Sequence, residues 1–221
     1  MKTPYPMRWL KDILSVSPTS IMTRLKPKFL TIKKDSINFA ENNAMPTTIE
    51  TERLLMRPLN MNDVDALYIL DSDPLVMKYL GNRPVKNLDE VNFYLKTILR
   101  QYELYDIGRW AVMEKSTGEM IGWAGLKYMN EETNGHIDFY DVGYRFRPEF
   151  WGKGYATEAT NAWIDYAKKY LNIQTLYASA HIENIASQNV LKKCGFIEKG
   201  EYNFEMYGEH LACYWLELEL V

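Results

Sequence analysis

Between Val142 and Ala159 the chain reads Val142-Gly143-Tyr144-Arg145-Phe146-Arg147-Pro148-Glu149-Phe150-Trp151-Gly152-Lys153-Gly154-Tyr155-Ala156-Thr157-Glu158-Ala159. An alternating strand runs into a turn with two glycines, and a helix follows at once. Gly152 and Gly154 lack a Cβ, so the backbone can turn tightly and bring its N–H groups close to a ligand. The first turn of a helix leaves N–H groups unpaired and partially positive, which suits an anion such as a pyrophosphate. Lys153 adds a point charge, with Arg145 and Arg147 nearby on the incoming strand. Taken alone, the pair of glycines reads equally well as a tight connection.

The spacing narrows the choice of anion. The third glycine of a dinucleotide fingerprint is missing, and so is the Gly-Lys-Ser/Thr ending of a nucleotide-triphosphate loop. A triphosphate enzyme is therefore disfavoured.

Around this loop the apolar periodicity predicts one mixed α/β domain over residues 47–221. Strands are expected at Leu54–Met56, Trp110–Glu114, Met120–Leu126, Ile137–Phe146, Leu176–Ala180, Phe196–Phe204 and Leu211–Leu220. Helices are expected from Asn62 or Asp63 through Leu70, from Asp73-Pro74, over Leu88–Tyr102, over Ala156–Leu171 and over Ala186–Lys193. The last of these stops at Gly195. Residues 1–46 carry eight Lys/Arg against three Asp/Glu, with prolines at 4, 6, 18 and 27. They read as a basic, flexible extension, with one short amphipathic helix possible through Trp9, Leu10, Ile13 and Leu14. A targeting segment, a small interaction element and a true start at Met45 are the competing readings.

Charge and residue counts set the remaining limits. The net charge is −3, yet residues 47–221 hold 18 basic and 26 acidic residues. An acidic body disfavours nucleic acid and mildly favours a cationic substrate. No run of about 18 apolar residues suggests a membrane span. Cys194 and Cys213 are too few for a disulfide framework, and His136, His181 and His210 lack metal-ligand spacing. The expectation is a cytoplasmic protein with no metal, with a homodimer as one possible assembly.

Trp151-Gly152-Lys153-Gly154-Tyr155-Ala156-Thr157-Glu158-Ala159 resembles the acetyl-CoA loop of GNAT acetyltransferases. The opening Thr51-Glu52-Arg53-Leu54-Leu55-Met56-Arg57-Pro58-Leu59 is similar to the start of the ribosomal-protein N-acetyltransferase (RimJ/RimL-like) branch, and so is Asp73-Pro74-Leu75-Val76-Met77. Asn184-Ile185-Ala186-Ser187, followed by Leu191-Lys192-Lys193-Cys194-Gly195-Phe196, matches that branch's Asn-x-x-Ser helix and Gly-Phe exit. Three blocks in order cover about residues 49–220.

The resemblance implies a GNAT fold: a mostly antiparallel sheet of about seven strands, with helices on both faces. It implies direct attack of an amine on the acetyl-CoA thioester. The implied cofactor contacts are Val142, Tyr144, Phe146, Arg147, Trp151, Gly152, Lys153, Gly154, Tyr155, Ala156, Thr157, Asn184 and Ser187. Oxyanion donors would be main-chain N–H groups around Val142–Tyr144, with Gly143 accommodating a bulge. Asp141 stands where the family often places a Glu, so it is either a water-mediated base or a solvated strand residue; Asp138 is a weaker candidate. Many family members place a thiolate-protonating Tyr where this chain has Leu191. Ser187 takes that part in the branch resembled, or else it caps its helix. His181 reads first as a surface or capped residue and second as a base, and His210 is a minor candidate to face the site from the last hairpin. Tyr140, Tyr144, Trp110 and Trp123 belong to the core or to an acceptor cleft. The expected acceptor is a protein or peptide α-amine. A small amine such as an aminoglycoside or polyamine, or a CoA-binding module without catalysis, is the alternative.

Overall fold

The computed structural model describes residues 45–206 and 208–220. The expectations for residues 1–44, including the helix through Trp9 and Leu14, lie outside the described residues.

Eight strands are present among the described residues: β1 Ile49–Glu50, β2 Leu54–Pro58, β3 Arg109–Glu114, β4 Met120–Met129, β5 Phe139–Phe146, β6 Thr175–His181, β7 Ile197–Met206 and β8 Glu209–Glu219. They form one sheet in the order β1-β2-β3-β4-β5-β6-β8-β7. Every neighbouring pair is antiparallel except β5 and β6. The strand beyond the expected seven is the two-residue β1, too short to show a period of its own.

The helices are α1 Val64–Asp71, α2 Pro74–Met77, α3 Leu88–Tyr105, α4 Tyr155–Tyr170 and α5 Ile185–Lys193. Alternation along β3 divides them between two cores. Trp110 and Val112 join the core that holds Ala159, Trp163 and Ala167 of α4, together with Leu191 of α5. Ala111 joins Leu67 and Leu70 of α1 and Val91 and Leu95 of α3 on the opposite face. Helices thus cover both faces. Trp163 is fully buried and meets Trp110 edge-on, with ring centroids 4.9 Å apart. Such an aromatic contact adds about 1 kcal/mol beyond the area it buries.

Local chemistry sets the helix starts. Asp73 caps α2, and Asn87 caps α3 by accepting from the Glu90 N–H at 3.0 Å. Asp63 stands at the N-cap position of α1, as expected, but its side chain does not cap the helix. Asn60 and Asp63 form a reciprocal capping box over a 3-10 turn, Met61–Asp63, that leads into α1. Asp63 is committed further, to Arg57 at 2.7 and 2.8 Å. A short polar run gives no period by which to separate such a turn from the helix behind it.

Candidate active site

The segment between β5 and α4 takes its shape from its two glycines. After a 3-10 turn at Pro148–Phe150, Gly152 and Gly154 adopt φ of 71° and 82°. Left-handed angles of this size disfavour any side chain. Gly154 is the N-cap of α4 and has no side-chain cap; the Glu158 N–H closes the first helical turn on the Gly154 carbonyl at 3.0 Å. The N–H groups from Gly152 through Thr157 meet no acceptor among the described residues. Residues 151–154 are exposed, so this row of donors at a helix N-terminus opens to solvent. It is a cradle for an anion.

Beside the cradle, β5 and β6 part. Their parallel pairing consists of one register point, Asp141 with Tyr177. The parting lies on the β6 side. Toward β4, the register runs unbroken through Gly143, so no bulge forms there. The reason for a glycine at 143 is different. A Cβ would come within 2.6 Å of the Arg109 guanidinium, which lies across the strand at that point. The Arg147 N–H bonds to Ile121 O on the β4 side at 3.0 Å. Strand alternation therefore turns the Tyr144 N–H to the opposite edge, into the gap.

The far wall of the gap is the start of α5. Asn184 caps this helix, its Oδ1 accepting from the Ser187 N–H at 3.1 Å. The Asn184 acceptor is thereby used, while its amide N–H groups meet nothing among the described residues. The Ser187 hydroxyl is not the cap. It lies 3.0 Å from the Tyr144 hydroxyl, which is also 3.0 Å from the Ser187 carbonyl oxygen. Burial holds the Tyr144 phenol well above the usual tyrosine range, so it stays protonated. Leu191 is 1% exposed in the core, consistent with a position that carries no polar function here.

The charged candidates separate. Arg147 pairs with both Glu119 and Glu149, so little of its charge is left for a ligand. Arg145 leaves the loop altogether, bonding Asp71 of α1 at 2.5 Å on the opposite face of the sheet. Lys153 remains at the cradle, its ammonium 5.0 Å from the Phe150 ring centre. Phe146 and Val142 are core side chains; the Phe146 carbonyl accepts from the Trp151 indole N–H at 2.6 Å. Tyr155 is buried and donates to Glu114, while Ala156 and Thr157 are half-buried in the first turn.

On the face that carries α1, Asp141 pairs with Arg109. Arg109 also donates to the carbonyls of Gly125 and Asp141, the latter at 2.8 Å. Asp141 Oδ2 is the oxygen that Arg109 Nη2 bonds, and Lys127 stands directly opposite on β4. Asp138 is exposed ahead of β5, with φ 58°. His181 Nδ1 accepts from the Glu183 N–H at 3.1 Å, which leaves that nitrogen unavailable as a base, and its ring lies 5.3 Å from Tyr79. His210 is exposed on β8. Among the described residues no three His, Cys, Asp or Glu side chains gather as a metal site, and no helix is long and apolar enough to cross a membrane.

Arg109 and Arg53 were not legible as site residues. Arg53 lies in the opening Thr51–Leu59 block, but its partners are about 100 residues away. Arg109 carries no local signal beyond being an arginine at the start of an apolar strand.

A mixed sheet that parts at one parallel pair, beside a glycine-turned anion cradle, defines an acyl-CoA-dependent transferase fold. Residues 53–197 match the acetyltransferase (GNAT) domain, and the chain belongs to that family. It is 31% identical over 153 residues to an uncharacterized N-acetyltransferase, p20, of Bacillus licheniformis, covering 69% of this chain and 84% of that one. It is equally 31% identical to a spermidine N(1)-acetyltransferase of Escherichia coli K12, covering 69% and 77%. A RimL ribosomal L7/L12 α-N-protein acetyltransferase solved with coenzyme A superposes with a TM-score of 0.65 at 15% identity, covering 80% and 97%. That structure shares the fold. The protein is an acetyl-CoA-dependent N-acetyltransferase, with acetyl-CoA as co-substrate.

Proposed function

We propose that the acceptor is the α-amine of a protein or peptide, attacked onto acetyl-CoA held by the 152–157 cradle and the β5–β6 gap. The observation that carries this choice is the Asp141–Arg109 pair. A carboxylate is a weak base toward an amine, which holds its proton several units more tightly. An α-amine has a pKa of about 8, so removing its proton at neutral pH costs about 1 kcal/mol. A side-chain-type amine near 10.4 costs about 5 kcal/mol, more than a weak base can offset. Asp71 of α1, on the same face, is likewise paired, with Arg145. That arrangement does not concentrate a polycation.

In this reading Asp141 takes the amine proton through a water. The Tyr144 N–H stands at the edge where a developing oxyanion needs a donor, and Ser187 donates to the departing sulfur. A polyamine acceptor is the second reading, favoured by the likeness to the spermidine enzyme. The test is a panel of free-amine peptides, α-blocked peptides and spermidine, with release of the CoA thiol measured at pH 7 and pH 9. The proposal expects free-amine peptides to lead in kcat/KM at pH 7 and blocked peptides to be inert. A higher kcat/KM for spermidine would overturn it.

A further inference from the structure

We infer that Tyr144 is a positioning residue that aims the Ser187 hydroxyl at the sulfur leaving acetyl-CoA; the inference rests on the reading of Ser187 just given. Tyr144 stands on β5 and Ser187 on α5, so their contact bridges the gap where the two strands part. The geometry limits how two hydroxyl protons can be shared. The phenol has one hydrogen and two oxygens of Ser187 within 3.0 Å. Of these the carbonyl only accepts, whereas Oγ both donates and accepts.

Two arrangements follow. In one, the phenol donates to the carbonyl and the serine hydroxyl donates back to the phenol oxygen. In the other, the phenol donates to Oγ, and the serine hydrogen is free to point into the gap. The second is the state that meets a thiolate. A donor bonded to Oγ polarises the serine O–H and strengthens the bond that it makes in turn. Burial keeps the phenol protonated through the working range, so this donor is not lost by titration.

The chemistry balances without a proton source of its own. The amine nitrogen bonds to the acyl carbon, and the C–S bond breaks with its electron pair left on sulfur. Ser187 stabilises that charge by a hydrogen bond and keeps its proton, as does Tyr144. The proton that finally makes the thiol is the one the amine nitrogen gives up.

Tyr144→Phe removes the hydroxyl and keeps the ring, so the packing that the ring provides is retained. Single-turnover acetyl transfer should slow about 10-fold, the worth of one neutral hydrogen bond, with the Kd for CoA changed less than 2-fold, within the ~0.3–0.5 kcal/mol scatter of independent effects. Ser187→Ala should slow transfer more, and Tyr144→Phe added to Ser187→Ala should cost nothing further, because the phenol acts through Oγ. Fully additive losses, or an unchanged rate in Tyr144→Phe, would overturn the inference while leaving Ser187 in its role. An unchanged rate in Ser187→Ala would overturn both.

Discussion

Arg53 donates from Nη1 to the carbonyl oxygen of Lys153 at 2.9 Å, and so turns one peptide plane of the cradle. In a trans peptide the C=O of Lys153 and the N–H of Gly154 point in opposite directions. Holding the carbonyl inward therefore points the Gly154 N–H outward. The same side chain bonds Glu158 through Nε at 2.7 Å and covers the Tyr155 ring, 4.4 Å from its centre. Glu158 is an anion in the first turn of a helix that is expected to bind another anion, and Arg53 offsets it. Arg53→Ala should weaken CoA binding about 10-fold, as expected for charge-assisted bonds discounted for the partial exposure of this arginine. The rate at saturating acetyl-CoA should hardly change. Arg53→Lys should not rescue binding, since an ammonium cannot serve both partners of a fork. Calorimetric titration with CoA checks this, and full affinity in Arg53→Ala would refute the clamp.

Gly154→Val tests the cradle itself. A Cβ at Gly154 would meet only Arg53, at an ordinary 3.5 Å, so crowding is not the difficulty. The φ of 82° is. A β-branched residue there costs on the order of 1–3 kcal/mol, and the loop relieves that strain by turning its N–H groups away. CoA affinity should fall about 10- to 100-fold, the same free energy expressed as binding. Gly118 supplies the control, with φ 72° in the β3–β4 hairpin and nothing near its Cβ. Gly118→Val should bring comparable strain and leave CoA affinity intact. Equal loss in both variants would mean that the effect is on folding.

Much of this architecture is readable in the chain because its signals are local. The alternation of Phe139–Phe146, the glycine pair and the immediate start of α4 all fall within about twenty residues, and each has a direct backbone consequence. The capping Asn184 and the stop at Gly195, with φ 91°, are local in the same way. What escaped is relational. The parting of β5 from β6 depends on register between strands that are distant in sequence. The Asp141–Arg109 pair spans 32 residues, and Gly143 reads as a bulge until the guanidinium above it is seen. Arg145 and Arg147 look like one basic pair in sequence. The strand ends at Phe146, so Arg147 is outside its alternation: Arg145 reaches Asp71, while Arg147 pairs with Glu119 and Glu149.

The two thiols predict how stability depends on pH. Cys194 and Cys213 are both free and buried, and burial pushes each thiol from 9.0 up to about 11. Below pH 9 folded and unfolded chains are both protonated, so the full contribution is present. Between pH 9 and about 11 the unfolded chain loses these protons while the folded one keeps them, and stability falls as pH rises. Each thiol should account for ~1–2 kcal/mol across that window. Buried phenols such as Tyr102 and Tyr202 shift the same way and extend the loss to higher pH. Urea midpoints measured from pH 8 to 11 should decline, and Cys213→Ala should decline less steeply from its own starting value. A flat profile would show that the thiols are not desolvated. Both cysteines should also react slowly with a thiol reagent at pH 8 until the protein unfolds.

Asp141→Asn separates the structural and chemical parts of the Arg109 pair. Arg109 has 11% of its side chain exposed, and in the variant its charge loses the carboxylate while the amide preserves the shape. Removing one partner of a buried pair costs about 3 kcal/mol, because the remaining charge stays desolvated. If Asp141 is also the base, kcat/KM at pH 7 should fall about 100-fold in the protein that remains folded. The deficit should shrink toward pH 9, where the acceptor amine is already neutral. Adding Arg109→Met removes the stranded cation and should recover much of the stability. It should not recover the rate at pH 7, since the proton acceptor is still missing. Should rate and stability return together in the double variant, Asp141 would be a strut for the β4–β5 pair, and the amine would lose its proton to water alone.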